Sequence, residues 1–330
     1  MRLTYVNICS VLLAVFVLTA CAEVPEGFIS DNIFYSQNPF YVPQGRVVTS
    51  NTIQGDGSTL PLKVIPTEIR NKVTGEVVND LFFKEYSTSV YTSSISKTDT
   101  YESINEKVSE KLMPIFSVVE SGGSMLFSNQ TFNIPVGEYT MDVEVSNGAG
   151  TRVVKDICTI IIHEANPLPD VHGGASAFRT VKDEEGKDVV QEIFFGFGSS
   201  TEWDSSGENK VTFKFVDKDG EVINPSKYGF QEQRISDGYK FSDSTPWDGE
   251  VPSDVSDTKV SYSYPVTPFP YSWIEPWRNF GFSFSPTGDV AKEFEAKAGF
   301  NSFNVRINSY MKFNLPGTYN ITIKCDFIDI

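Results

Sequence analysis

Along most of this 330-residue chain, hydrophobic and polar residues alternate in short runs that end at Gly, Asn, Asp or Pro. Alternation with period two marks a strand that turns one face to a core and the other to water. The clearest run is GEYTMDVEV at 137–145. Tyr139, Met141, Val143 and Val145 share one face, and Glu138, Thr140, Asp142 and Glu144 share the other. Asn147-Gly148 then offers the positive-φ residues of a hairpin turn, and residues 151–162 read as the returning strand. The pattern predicts a mainly β protein.

The C-terminus repeats the design. GTYNITIKC at 317–325 follows Pro316 and carries the same Gly-x-Tyr-x-apolar-x-apolar order. A tyrosine opening a late strand behind a Pro/Gly bend resembles the corner tyrosine of immunoglobulin-like sandwiches, whose hydroxyl satisfies a backbone group at the bend. A second echo pairs RNKVTGEVV at 70–78 with FVDKDGEVI at 215–223, each a strand, a glycine turn and a strand. Two echoes in the same order predict two immunoglobulin-like β-sandwich domains in tandem, at 33–165 and 166–330. Paired prolines in ANPLPD (165–170) would stiffen the join.

Helical spacing is scarce. Asp99 and Thr100 can cap a helix; Ile104, Val108 and Leu112 follow at i, i+4 and i+8; Pro114 ends the run. This spacing predicts a helix crossing over the first sandwich. A second, shorter one is expected at 291–298, stopped by Gly299.

Residues 1–20 carry Arg2 and an apolar run from Ile8 to Leu18. That run is short of the roughly 20 residues that span a bilayer, and it suits the core of a signal peptide. Leu18-Thr19-Ala20-Cys21 resembles a bacterial lipobox, in which the signal is cut before the cysteine and the thiol takes a diacylglycerol. A plain secretory signal with a chance cysteine is the alternative. The expected order is a signal peptide at 1–20, a lipidated tether at 21–32 beginning with the acidic AEVPEG, and then the two domains.

Charge narrows the partners. With 43 acidic and 27 basic residues the net charge is −16, so no general field draws the chain to nucleic acid or anionic lipid. Membrane attachment would rest on the lipid at Cys21. Beyond it, Cys158 and Cys325 each fall in the last strand pattern of a different domain. They read as separate buried thiols rather than a disulfide.

Groups for catalysis are few. His163 and His172 are the only histidines, both beside the join, and their spacing matches no compact metal motif. Asp217-Lys218-Asp219-Gly220 imitates the opening of a calcium loop, but Val222-Ile223 follows where later oxygen ligands belong, so a hairpin turn is expected. No carboxylate spacing singles out a pair for glycoside hydrolysis. The reading is therefore non-catalytic, without cofactor or metal, and a glycoside hydrolase-like enzyme ranks third among the functions weighed.

One stretch departs from the strand pattern. YSYPVTPFPYSWIEPWRNFGFSF, at 262–284, holds nine aromatics and four prolines in 23 residues. It lies in an interval, Gly220 to Gly317, about 35 residues longer than its counterpart from Gly75 to Gly137. Intervals that long are uncommon unless they serve a function or pack as small subdomains. Phe280, Phe282 and Phe284 alternate as an inward strand face would and are assigned to the core. Tyr271, Trp273 and Trp277, with Glu275, Arg278, Asn279 and Trp247, mix flat rings with hydrogen-bonding groups, as a platform for sugar rings requires. Prolines would hold such a platform in order. The same residues suit loop packing or a protein interface, and both readings stand.

The lipobox, acidic tether, immunoglobulin-like first domain and aromatic-rich second domain together resemble Bacteroidetes surface lipoproteins of the SusE and SusF type, which accompany SusC/SusD transporters. Residues 33–39 (IFYSQNP) and 136–139 (VGEY) look like an uncharacterised lipoprotein family of such loci. The resemblance implies an outer-membrane, lipid-anchored protein facing the exterior, with a glycan or a SusC/SusD-type transporter as partner. It carries over no binding residue.

Overall fold

The computed structural model describes residues 27–168, 171–234, 240–243, 245, 249–265, 271–272, 280–307, 312–313 and 315–330, with backbone alone at 271, 272 and 312. The first half runs β1 (Phe40–Pro43), β2 (Val48–Thr49), β3 (Lys63–Asn71), α1 (Asn79–Phe82), β4 (Glu85–Tyr91) and α2 (Tyr101–Glu106). It continues through β5 (Val108–Pro114), β6 (Phe116–Val118), β7 (Met125–Phe127), a 3-10 turn (Asn129–Asn133), β8 (Gly137–Asn147) and β9 (Gly150–His163). A four-stranded sheet, β1-β9-β8-β3, faces the smaller β2-β7-β6 sheet, and β4 and β5 form a separate hairpin. Buried rings fill the space between them, with Phe82 5.0 Å from Tyr139 and Phe116 4.8 Å from Phe127.

The second half begins with β10 (Gly173–Lys182), β11 (Asp188–Phe195), β12 (Gly198–Asp204), β13 (Lys210–Val216) and β14 (Phe230–Gln233). It goes on with β15 (Ser253–Val255), β16 (Val260–Ser263), β17 (Tyr271–Ser272), β18 (Phe280–Phe284) and α3 (Gly288–Ala298). Strands β19 (Ser302–Ile307), β20 (Lys312–Phe313) and β21 (Thr318–Lys324) close the chain. Two five-stranded sheets, β11-β10-β19-β18-β14 and β12-β21-β13-β16-β15, form the layers. Phe213 and Phe215 of one layer meet Phe282 and Phe284 of the other at 5.0 and 4.9 Å, and Phe284 stacks on Phe303 at 4.5 Å. The chain is thus mainly β, with tandem sandwiches.

Both corner tyrosines do what their sequence setting implies. The Tyr139 hydroxyl donates to the Pro135 carbonyl at 2.9 Å, and the Tyr319 hydroxyl to the Leu315 carbonyl at 2.8 Å. Each reaches back four residues across the bend while its ring is buried. The glycine turns also hold: Gly75 and Gly220 have φ of 73° and 89°, and bridges Arg70–Val77 and Val216–Val222 close the two tight turns. Asp217 organises the second turn by accepting from the Asp219 and Glu221 amides, both at 2.9 Å. Its oxygens serve the backbone, as the hairpin reading requires.

The helix expected to run to Leu112 stops at Glu106. Thr100 caps it in a box with Ser103. Asp99 instead accepts from Lys107 Nζ and from the Ser96 amide. Residues 108–114 pair along their whole length with β4, because the β-prone Tyr86-Ser-Thr-Ser-Val90 offers a ladder that six residues of isolated helix cannot match. Leu112, placed on a helical face by its spacing, is exposed on that hairpin. Ile104 does bury, but in the core of the second sandwich. The second helix is found, longer at its start, with Gly299 in the left-handed conformation at its end (φ 72°).

Cys158 and Cys325 are free and buried, and loss of solvent pushes both thiols up to about 12. On β8, the outward Asp142 is nearly sealed from water, with its side chain 6% exposed. A register shift beside it lets the Asp156 amide donate to it at 2.8 Å. Both terminal nitrogens of Arg70 grip it at 2.9 and 2.8 Å. Arg70 holds the Asp142 carboxyl below the usual range.

Two outcomes follow for stability. Tyr139→Phe and Tyr319→Phe each leave a corner carbonyl without its donor and should cost about 1 kcal/mol, read as a lower urea midpoint with the slope unchanged. Arg70 binds the ionised form of Asp142. That stabilisation is complete above the ordinary carboxylate value, about pH 4, and fades as pH falls through the depressed one. Asp142→Asn should therefore cost about 2 kcal/mol at pH 7 and much less at pH 3; an equal loss at both would show that ionisation is not involved.

Candidate functional site

Of the residues singled out by sequence, Cys21, Trp247, Trp273, Glu275, Trp277, Arg278 and Asn279 lie outside the described residues. Tyr271 contributes its backbone to β17, opposite Phe313. The flanks of the aromatic stretch are described, and they are core. Tyr262, Tyr264, Phe280, Phe282 and Phe284 are all buried. Tyr264 donates to the Gly317 carbonyl at 2.5 Å and lies parallel to Phe313, beside the Tyr319 corner. Much of the local aromatic excess is therefore spent on filling the sandwich. Trp203, the one tryptophan with a described side chain, is structural too. Its Nε1 donates to the Pro316 carbonyl at 3.0 Å, and its indole lies nearly parallel to Phe132 of the first sandwich, 6.3 Å away.

Among the described residues, a chemically mixed surface is the outer face of the β11-β10-β19-β18-β14 sheet. Phe195 on edge strand β11 turns inward and stacks on Phe327 at 4.4 Å. Period two then forces its neighbour Phe194 outward, where it is 77% exposed. Strand register sets what stands beside it: Phe194 opposes Ser176, and Ser176 opposes Asn304. Adjacent strands are roughly 4.8 Å apart, so the ring stands about 10 Å across the sheet from that amide. The next row carries Arg306 on β19, flanked by Gly174 on β10 and Gly281 on β18, with Gln233 beyond on β14. Gln233 Nε2 donates to Asn304 Oδ1 at 3.2 Å.

Small residues at the floor and larger ones at the rim leave a hollow of about 320 Å³, with Glu192 on its β11 side. Arg306 makes no ion pair or hydrogen bond with any described residue, unlike Arg70 or Arg152. This face thus offers one apolar ring, amides and a hydroxyl that both donate and accept, and one unspent guanidinium. Such a set can bind a flat molecule rich in hydroxyls.

Other hollows are poorer. A hollow of about 400 Å³ on the opposite sheet is lined by Glu208, Lys210, Thr212, Asp254, Lys259 and hydroxyl residues. It has no ring to stack on, and Lys210 already pairs with Glu208. A cavity of about 270 Å³ in the first sandwich lies under the β4-β5 hairpin and is mainly apolar. Inside the second core, Glu232 Oε2 accepts from Ser242 at 2.6 Å, and the buried Tyr262 hydroxyl lies near this carboxylate. Burial, and then the nearby Glu232 charge, keep the Tyr262 phenol protonated far above the usual range. Among the described residues no three His, Cys, Asp or Glu side chains gather as a metal site. His163 Nδ1 lies 2.8 Å from the Glu164 carbonyl oxygen.

Sequence reasoning missed the Phe194 face, although a signal existed. In DVVQEIFF one of two adjacent phenylalanines must face away from the core, and Phe194 shares its parity with Glu192. Arg306, Asn304 and Gln233 could not have been added to it, since only pairing across strands far apart in sequence brings them together.

No family model matches the chain, and no curated protein matches it significantly. Among solved structures it is similar to a SusE-like surface-located polysaccharide-binding protein from the heparin utilisation locus of Bacteroides thetaiotaomicron. Identity is 9%, the match covers 89% of this chain and 54% of that one, and the TM-score is 0.28. The chain spans about half the length of that protein, and a likeness this remote does not bear on function.

Proposed function

We propose that this protein is a non-catalytic glycan-binding lipoprotein of the bacterial cell surface, anchored through Cys21 in the outer membrane and serving polysaccharide uptake. The observation that carries the binding reading is Phe194, a ring held 77% exposed on a rigid strand at the rim of a polar hollow. Sugar rings present C–H faces that stack on aromatic surfaces, while their hydroxyls need partners that both donate and accept. Gln233, Asn304 and Ser176 are such partners. A site on strands is already ordered, so binding costs little conformational entropy. This reading favours the Phe194 sheet face as the site and keeps the Trp273/Trp277 segment as a second contact.

A docking reading has its own support. Val190 and Phe194, 71% and 77% exposed, lie on the same face of edge strand β11, and exposed apolar edges also serve protein partners such as a SusC/SusD-type transporter.

The two readings separate experimentally. Affinity electrophoresis against a panel of neutral and acidic polysaccharides should find at least one ligand. Phe194→Ala should weaken its binding at least tenfold with the urea midpoint unchanged. Binding that survives Phe194→Ala but fails in Trp273→Ala/Trp277→Ala would move the site to the insertion. No binding at all, with a transporter co-purifying through the β11 edge, would replace the glycan reading by the docking one.

A further inference from the structure

Resting on the glycan reading of the Phe194 face, we infer that the saccharide taken there carries a carboxylate, as a uronate does, and is sparsely charged. The inference turns on Arg306. Its cross-strand neighbours on the outer row are Gly174 and Gly281, so no side chain from either adjacent strand shields its sides in that row. A Cβ built at Gly174 would meet nothing nearer than the Phe195 carbonyl oxygen at 3.5 Å, which leaves that flank open. In a chain with 43 acidic residues, a guanidinium set in a hollow and bound to none of the described carboxylates is a free fork. The fork geometry fits a planar carboxylate through two parallel hydrogen bonds, which an ammonium does not reproduce.

The surroundings limit how much negative charge the ligand can carry. Among the described residues Arg306 is the one cation lining the hollow, with Glu192 on its β11 side and no lysine. Beyond the hollow the net charge is −16, and repulsion of a dense polyanion acts over roughly 8–10 Å at moderate salt. A single carboxylate on the Arg306 fork gains a partner without meeting that barrier, with adjoining hydroxyls on Gln233, Asn304 and Ser176. A heavily sulfated chain brings several charges to one cation and is disfavoured.

The test uses the mature protein in isothermal titration with oligogalacturonate and oligoalginate, their carboxyl-reduced forms, and a highly sulfated oligosaccharide. At least one uronate form should bind tenfold or more tighter than its reduced counterpart and than the sulfated probe. Arg306→Gln should abolish the preference, Arg306→Lys should lose most of it, and Gly174→Val, which fills the open flank without changing charge, should weaken the acidic ligand. Equal or tighter binding of the reduced or sulfated probe overturns the inference, as does a preference unaltered in Arg306→Gln. If the preference is absent while Phe194→Ala still weakens a neutral glycan, the charge inference falls and the site stands. If no probe or neutral polysaccharide binds, both fall.

Discussion

Interlocked phenylalanines between the two sheets of the second sandwich fix everything on its surface. Phe213 and Phe215 on β13 bear on Phe282 and Phe284 of β18, and Phe284 bears on Phe303 of β19. Each such ring gains about 2–3 kcal/mol by burial. Sliding either strand by one residue would turn every ring into water, so the register is strongly specified. Once these rings face inward, parity leaves no choice for the alternate positions. Asn304 and Arg306 must stand on the outer face of β19, and Gly281 and Ser283 on that of β18. The candidate site is the reverse side of the core.

This coupling explains which features were legible in the sequence. Corner tyrosines Tyr139 and Tyr319, the turns at Gly75 and Gly220, and the Gly299 helix stop depend on residues within seven positions of one another. Their geometry is written locally. The alternation of Phe280, Phe282 and Phe284 was equally plain. The 99–114 segment misled beyond Glu106 because its apolar residues keep a helical period, yet a strand partner at 85–91 pairs with residues 108–114. Within 262–284, Tyr262 and Tyr264, which the sequence assigned to neither core nor platform, are sealed in the core. Arg306, Asn304, Gln233 and Phe194 come from four strands, and no window of the chain contains their meeting.

Arg306 differs from the structural cations Arg70 and Arg152 in lacking a carboxylate partner among the described residues. Arg70 has Asp142, Glu68 and Asp156 around it, and Arg152 reaches Asp31. Most other ion pairs are exposed and contribute little to stability. Acidic excess over the rest of the molecule then makes the Arg306 guanidinium, unpaired among the described residues, a selective feature rather than a general attractor. A surface of this kind would reject nucleic acid and dense polyanions while tolerating a ligand whose single charge meets that fork.

The two sandwiches are not independent beads. Ile104 of α2 belongs to the first half of the chain, yet it buries in the second core, with Tyr91 and Tyr101 beside it. Elsewhere on the join, Phe132 lies against Trp203. Gly45 permits a tight turn there (φ 76°); a Cβ at that position would strike the Phe132 ring at 2.1 Å and Leu315 at 2.7 Å. Contacts at separate points resist both hinge and twist, because opening one about an axis strains another. Trp203 also caps the Pro316 bend that Tyr319 pins from within, so the second sandwich's corner and the contact with the first share one anchor. The first sandwich thereby sets the direction in which the Phe194 face points, and residues 28–31, expected to be tether, are bound to it through Thr59, Ser58 and Arg152.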